Sequence, residues 1–185
     1  MKFNSKCLHS GYEPQDGEPQ ALPIYQSTTY RYRSADKVAA LFDLTDDGFF
    51  YTRLANPTTD AVEKKIADLE GGTGALCTSS GQAASFMAVV NILNAGDHLV
   101  SSASIYGGTF NLFAVTLKKL GIDVTFIDNY ASEEEIEKAV KPNTKAFFGE
   151  TITNPSIEIF DIEKFARIAH KHGVPLMVDN TFATP

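Results

Sequence analysis

The sequence predicts an α/β fold, a mainly parallel sheet with helices on both faces. Two observations carry this. From Asn56 onward, short apolar runs alternate with amphipathic stretches of helical length, and the first such stretch is bounded by an Asn56-Pro57 start and a Gly71-Gly72 stop. Strands joined through helices imply right-handed crossovers and parallel pairing. A chain of 185 residues, 43% hydrophobic and 21% charged, suffices for one α/β core or for part of a larger domain. Disordered and collagen-like chains are excluded.

Residues 1 to about 50 hold turn formers (Gly11, Pro14, Gly17, Pro19, Pro23) and scattered aromatics with little periodicity, which predicts an extended arm with one short helix near Ala35 to Phe42. Such an arm is not expected to bury itself alone. After Asn56, the residues Val62, Ile66 and Leu69 share one helical face. A strand is then expected over Ala75 to Thr78, a small-residue turn at Ser79-Ser80-Gly81, and a helix whose apolar face is Phe86, Val89, Val90 and Leu93. The alternation continues with a strand at Leu99 to Ser101, a helix at Thr109 to Leu120, a strand at Val124 to Ile127 and a helix at Glu133 to Val140. It closes with a strand at Ala146 to Phe148, a helix at Ile162 to His172 and a strand at Leu176 to Val178. Internal repeats and low-complexity blocks are absent.

Sixteen Lys plus Arg against twenty-three Asp plus Glu leave a net charge of -7, which argues against nucleic acid or an anionic membrane as partner. A small molecule or another subunit is the expected partner. The start MKFNSKCLHS lacks an apolar signal core and no apolar run approaches the ~20 residues that span a bilayer, so a cytoplasmic location is expected. Cys7 and Cys77 fit neither a disulfide framework nor a zinc site, and no metal is expected.

Ligands of parallel sheets bind beyond the carboxyl ends of the strands, so functional candidates are sought there. Ser80-Gly81-Gln82 opens a helix, where backbone N–H groups and small side chains suit a phosphate, or else form an ordinary tight turn. It is neither a dinucleotide fingerprint nor a Walker loop. Asp179 ends an apolar strand, where a buried carboxylate needs a cation or donor such as a heteroaromatic N–H; capping the following turn is the alternative. Tyr106, beside Gly107 and Gly108, is either a platform for a flat ring or a surface tyrosine. Asn154, before Pro155, offers an amide or starts a turn. Tyr51 and Arg53, two apart on an extended segment, suit an anion, unless Arg53 is simply solvated.

These segments are Tyr51-Thr52-Arg53 with Asn56-Pro57-Thr58, Leu69-Glu70-Gly71-Gly72, Ser80-Gly81-Gln82-Ala83-Ala84, Tyr106-Gly107-Gly108-Thr109, Glu150-Thr151-Ile152-Thr153-Asn154-Pro155 and Val178-Asp179-Asn180-Thr181. Together, over nearly the whole chain, they closely resemble the Cys/Met-metabolism family of pyridoxal-phosphate enzymes. The resemblance implies the large-domain fold of type I aminotransferases, incomplete here, with residues 1–55 as an arm contacting a neighbouring subunit and 56–185 as the first part of the cofactor-binding domain. It further implies that Ser80, Gly81 and Gln82 hold the phosphate of pyridoxal 5'-phosphate, with Tyr51 and Arg53 reaching it from the neighbouring subunit of a homo-oligomer, a tetramer built of active-site-sharing dimers. By the same resemblance Tyr106 stacks on the ring and transfers protons, Asn154 bonds the ring hydroxyl, Asp179 keeps the ring nitrogen protonated and Thr181 lies beneath the ring.

Within the family, Gly108 stands where methionine gamma-lyases usually have Cys, Ile152 where they have Pro, and Gln82 where they have Met. These favour the branch that replaces the acetate of O-acetylhomoserine with sulfide or methanethiol over the lyases. The family's cofactor-linking lysine follows the Asp by roughly 25 residues. No lysine lies after Lys171, so the chain is expected to be the N-terminal part of a longer enzyme, inactive alone and associated with a C-terminal remainder. A non-catalytic fragment that only associates is the rival from another class.

Overall fold

The computed structural model describes all residues, Met1 to Pro185. They form two compact units, Met1–Cys77 with Pro185, and Thr78–Thr184.

In the first unit, α1 spans Phe3–His9, α2 Ala35–Phe42 and α3 Pro57–Glu70. Helix α3 starts where its cap is: the Asn56 side chain accepts from the Thr58 N–H at 2.9 Å and Pro57 occupies the first turn. It stops at Gly71, whose left-handed φ of 67° ends the helix at little cost. The expected arm is less extended than its composition suggests. The Asn56 amide donates to the Tyr25 carbonyl and the Tyr30 hydroxyl, and Asp68 accepts from Lys6 at 2.7 Å and Ser10 at 2.6 Å. Helix α1 was not expected from periodicity, since it buries no residue and has no side-chain cap; these polar ties to Asp68 hold it. They also group α3 with the preceding residues in the first unit. The expected strand at Ala75 to Thr78 does not form. Those residues join no ladder, and the Cys77 N–H is satisfied by the Glu63 carboxylate at 2.7 Å instead of by a neighbouring strand. Val62 and Ile66, on the expected apolar face of α3, are exposed.

The second unit carries the sheet. Helix α4 spans Gly81–Ile92 and strand β1 His98–Ser102; α5, Gly107–Asn111, passes into a π-helical segment at Leu112–Leu117. Then follow β2 Asp123–Ile127, α6 Glu133–Ala139, β3 Thr144–Glu150, α7 Ile162–Lys171 and β4 Leu176–Asp179. The four strands are all parallel, in the order β2-β1-β3-β4. Alternate strand residues feed opposite cores, as the pleat requires. Leu99, Ala146 and Phe148 pack with Val89, Leu93, Phe113 and Leu117 on the α4 and α5 side. Val100 and Phe147 pack with Ile136, Phe165 and Ile168 of α6 and α7 on the other. The expected two-faced sheet is therefore present. Phe113 meets Phe148 edge-on at 4.8 Å, and Gly149 is required beside Phe160, whose ring comes within 2.4 Å of where a Cβ would stand. None of the helices is long and apolar enough to cross a membrane.

Candidate active site

Connections from β1 run to β2 on one side and from β3 to β4 on the other, so the chain changes direction between β1 and β3. The crevice beyond the carboxyl ends of such strands is where open parallel sheets bind ligands. Register places Glu150 of β3 directly beside Asp179 of β4.

Hydrogen bonds tie the candidates of the second unit to one another and to their neighbours at this end. Ser80 caps the 12-residue α4, its hydroxyl oxygen accepting from the Ala83 N–H at 3.1 Å. The N–H groups of Gly81 and Gln82 lie ahead of the first intrahelical acceptor, at the positive end of the helix. A Cβ at Gly81 would meet no atom within 4 Å. The Gln82 side chain donates to the Thr109 hydroxyl at 2.8 Å, tying this cradle to the first turn of α5. Tyr106, 47% exposed, is the N-cap of α5, and its N–H donates to Glu150 Oε2 at 2.9 Å. The same oxygen accepts from the Asn154 N–H at 3.3 Å. Asp179 Oδ1 accepts from the Thr181 N–H at 3.1 Å and the Thr181 hydroxyl at 2.5 Å. Asp179 thus does cap the turn after β4, while its other oxygen is not engaged by Thr181.

Tyr51 and Arg53 lie in the first unit. They are not on an extended segment as expected: the Tyr51 carbonyl accepts from Leu54 and Ala55, folding residues 51–55 into a turn ahead of the Asn56 cap. The turn still brings the pair together, with the guanidinium 5.3 Å from the centre of the Tyr51 ring.

Glu150 is the site residue that sequence reasoning missed. It is 5% exposed, and burial pushes its carboxyl above the usual range, helped by the Asp179 charge and opposed by the two N–H groups it accepts. The signal was the one that singled out Asp179, a carboxylate closing an apolar strand. Thr109, also buried, carried no such signal.

The donor set fits an anionic, heteroaromatic ligand: free helix-start N–H groups, a hydroxyl, an open glycine, an exposed ring and a strand-end carboxylate. Such a parallel sheet with its site at the switch point defines an α/β cofactor-binding protein. The chain belongs to the Cys/Met metabolism PLP-dependent enzyme family, whose model matches residues 4–185. It is 49% identical over 184 residues to the O-acetyl-L-homoserine sulfhydrylase of Corynebacterium glutamicum, covering 98% of this chain and 42% of that protein. It is 43% identical over 183 residues to the homocysteine/cysteine synthase of Saccharomyces cerevisiae, covering 97% and 41%. Among solved structures, a Campylobacter jejuni protein described as an O-acetylhomoserine (thiol)-lyase, with a pyridoxyl-lysine phosphate, superposes with a TM-score of 0.94 at 40% identity over 100% of this chain and 45% of that one. A cystathionine gamma-lyase from Lactobacillus plantarum, complexed with L-serine, gives 0.87 at 35% identity, covering 99% and 45%. The chain therefore spans about two-fifths of the length of the curated relatives it matches, 42% for the first of them.

Proposed function

We propose that this chain supplies the phosphate cradle and most of the ring contacts of a pyridoxal-phosphate enzyme that converts O-acetyl-L-homoserine and sulfide or methanethiol into homocysteine or methionine plus acetate. The observation that carries the reading is the linked set Gln82–Thr109, Tyr106–Glu150–Asn154 and Asp179–Thr181 at one end of the sheet, in a chain of this family. When bound, pyridoxal phosphate supplies an electron sink for the pair left when a proton leaves the amino-acid carbon.

The roles of the residues follow from their chemistry. Ser80, Gly81 and Gln82 bind the phosphate through a hydroxyl and two helix-start N–H groups, and Tyr51 and Arg53 of a neighbouring subunit complete its neutralisation. The Tyr106 ring would hold the cofactor ring by stacking, and its hydroxyl would move protons at the substrate carbons. The Asn154 amide donates to the ring hydroxyl. Asp179 would hold a proton at the ring nitrogen, its carboxyl group oriented by the two bonds that Oδ1 accepts from Thr181. Thr181 would help hold the ring from the Asp179 side. Acetate leaves with the bonding pair of its C–O bond, and the thiol sulfur forms the new C–S bond at the same carbon.

Replacement is preferred to elimination on one local fact. At Gly108, where the resembling lyases usually have Cys, a Cβ would stand 2.5 Å from Tyr106 Cε1, so the observed ring position depends on glycine there. Residues 1–55 act as an arm on the neighbouring subunit and 56–185 as the first part of the cofactor domain. The enzyme works in the cytoplasm as a tetramer of active-site-sharing dimers, and the remainder of a polypeptide of the relatives' length supplies the cofactor-linking lysine and the Arg for the substrate carboxylate.

The test is turnover of O-acetylhomoserine by the full-length enzyme with and without sulfide. Homocysteine formed only when sulfide is present supports replacement. Sulfide-independent release of a keto acid and ammonia would assign the protein to the lyases.

A further inference from the structure

We propose that Glu150 is a positioning residue: by accepting the backbone N–H groups of both Tyr106 and Asn154, it clamps the ring-stacking and amide-bearing loops at the spacing the cofactor needs. The proposal rests on the cofactor reading above and adds a residue to it. Tyr106 follows β1 and Asn154 follows β3, and 44 residues separate Tyr106 from Glu150. Nothing local sets the relation between these loops. One oxygen, Oε2, accepts from both, at 2.9 Å and 3.3 Å, which fixes the two amides within the reach of a single atom.

The oxygen is itself held. Glu150 is the last residue of β3, paired with Asp179 of β4, and the Thr151 N–H continues the ladder to the Asp179 carbonyl at 3.0 Å. On the other side Gly149 leaves room for the Phe160 ring, so the backbone just before Glu150 is wedged against a buried aromatic. The clamp is therefore anchored in the sheet, while the loops it gathers are not. Burying a carboxylate here is unfavourable unless its acceptor capacity is used, and the two amides use it.

The reach of the side chain decides whether both amides are met, and its charge is secondary. Glu150→Gln keeps an acceptor oxygen at the same distance. Glu150→Asp keeps the charge but is one methylene shorter and cannot serve both loops. In the full-length apoprotein, amide hydrogen exchange over residues 104–108 and 152–156 should rise together about tenfold in E150D and stay near wild type in E150Q. With pyridoxal phosphate added, E150D should bind about tenfold more weakly, with a diminished visible circular dichroism band, and E150Q should match wild type. A purely structural role would change melting without changing that band.

Unchanged exchange in E150D overturns the clamp, as does raised exchange with unaltered affinity and dichroism. Should E150D not fold, E150Q decides alone: it must keep both readouts, and a tenfold loss in either overturns the proposal. Absence of any cofactor band in the wild-type enzyme is a different failure, that of the cofactor reading. The exchange comparison, made on apoprotein, still upholds or overturns the clamp.

Discussion

The Gln82 side chain donates to the buried Thr109 hydroxyl at 2.8 Å, so α4 and α5, whose N-cap is Tyr106, are joined by one side chain at their starts. On the proposed reading, a residue whose backbone N–H would serve the phosphate uses its side chain for alignment. Gln82→Ala in the full-length enzyme should leave the two N–H donors in place but free α4 to shift against α5. We expect cofactor affinity to fall about tenfold, the scale of one hydrogen bond with its buried partner left unmet. Titration with pyridoxal phosphate measures it; wild-type affinity would remove the link from the site.

Gly108 makes a steric prediction about the same loop. A side chain here would overlap the Tyr106 ring, at 2.5 Å from Cε1, and the ring is exposed and free to swing away. Gly108→Cys should therefore fold normally, with a stability change below about 1 kcal/mol because the displaced ring is not in the core. Its effect should appear in the reaction, as a lowered ratio of thiol replacement to elimination. Equal ratios in the variant and wild type would show that the Tyr106 position does not set this partition.

Much of this architecture was legible in the sequence because the determinants are local. Asn56-Pro57 and Gly71 bound α3, and the Ser132–Glu135 capping box starts α6. Alternation of Leu99 with Val100, and of Phe147 with Phe148, serves the two cores. Ala75 to Thr78 failed because a strand exists only with a partner, and no propensity reports one. Helix α1 was invisible because its ties are to Asp68, far along the chain. At the site, strand-end position revealed Asp179 and could have revealed Glu150. The Gln82–Thr109 bond needed the fold.

Asp179 is expected to be indispensable. In the full-length enzyme, Asp179→Asn preserves shape and the contact to Thr181 but removes the charge that, on the proposed reading, holds a proton on the ring nitrogen. Turnover should fall by on the order of 10²-fold or more, the cost of losing a preorganised charge interaction. The bound cofactor should remain detectable, since its phosphate contacts are untouched. Near-normal turnover by Asp179→Asn would reject the assignment.

The last prediction concerns acid stability and begins at the other end of the sheet. His98 is fully buried at the start of β1, its Nδ1 2.8 Å from the Thr144 hydroxyl of β3 and its Nε2 2.8 Å from the Thr125 hydroxyl of β2. One ring therefore spans three adjacent strands, β2, β1 and β3. Burial, with the Lys141 charge adding to it, holds its pKa down at about 4 from an ordinary 6.5, Asp123 opposing weakly. Between these values the unfolded chain binds the proton that the folded chain refuses, so stability rises with pH across the window. The contribution is complete above about pH 6.5 and is lost as the pH falls toward about 4, a total of about 3 kcal/mol. Glu150, whose carboxyl is raised by burial, acts in the opposite sense and loses stability as the pH rises, so the wild-type slope alone is ambiguous. The difference between wild type and His98→Gln is not ambiguous, because the amide can still bond a threonine hydroxyl but does not titrate. Amide exchange protection of β1 in the full-length enzyme should decline from pH 6.5 to 4.5 more steeply in wild type than in His98→Gln, after correction for intrinsic exchange. Parallel declines would mean that His98 is not the group whose protonation opens the sheet.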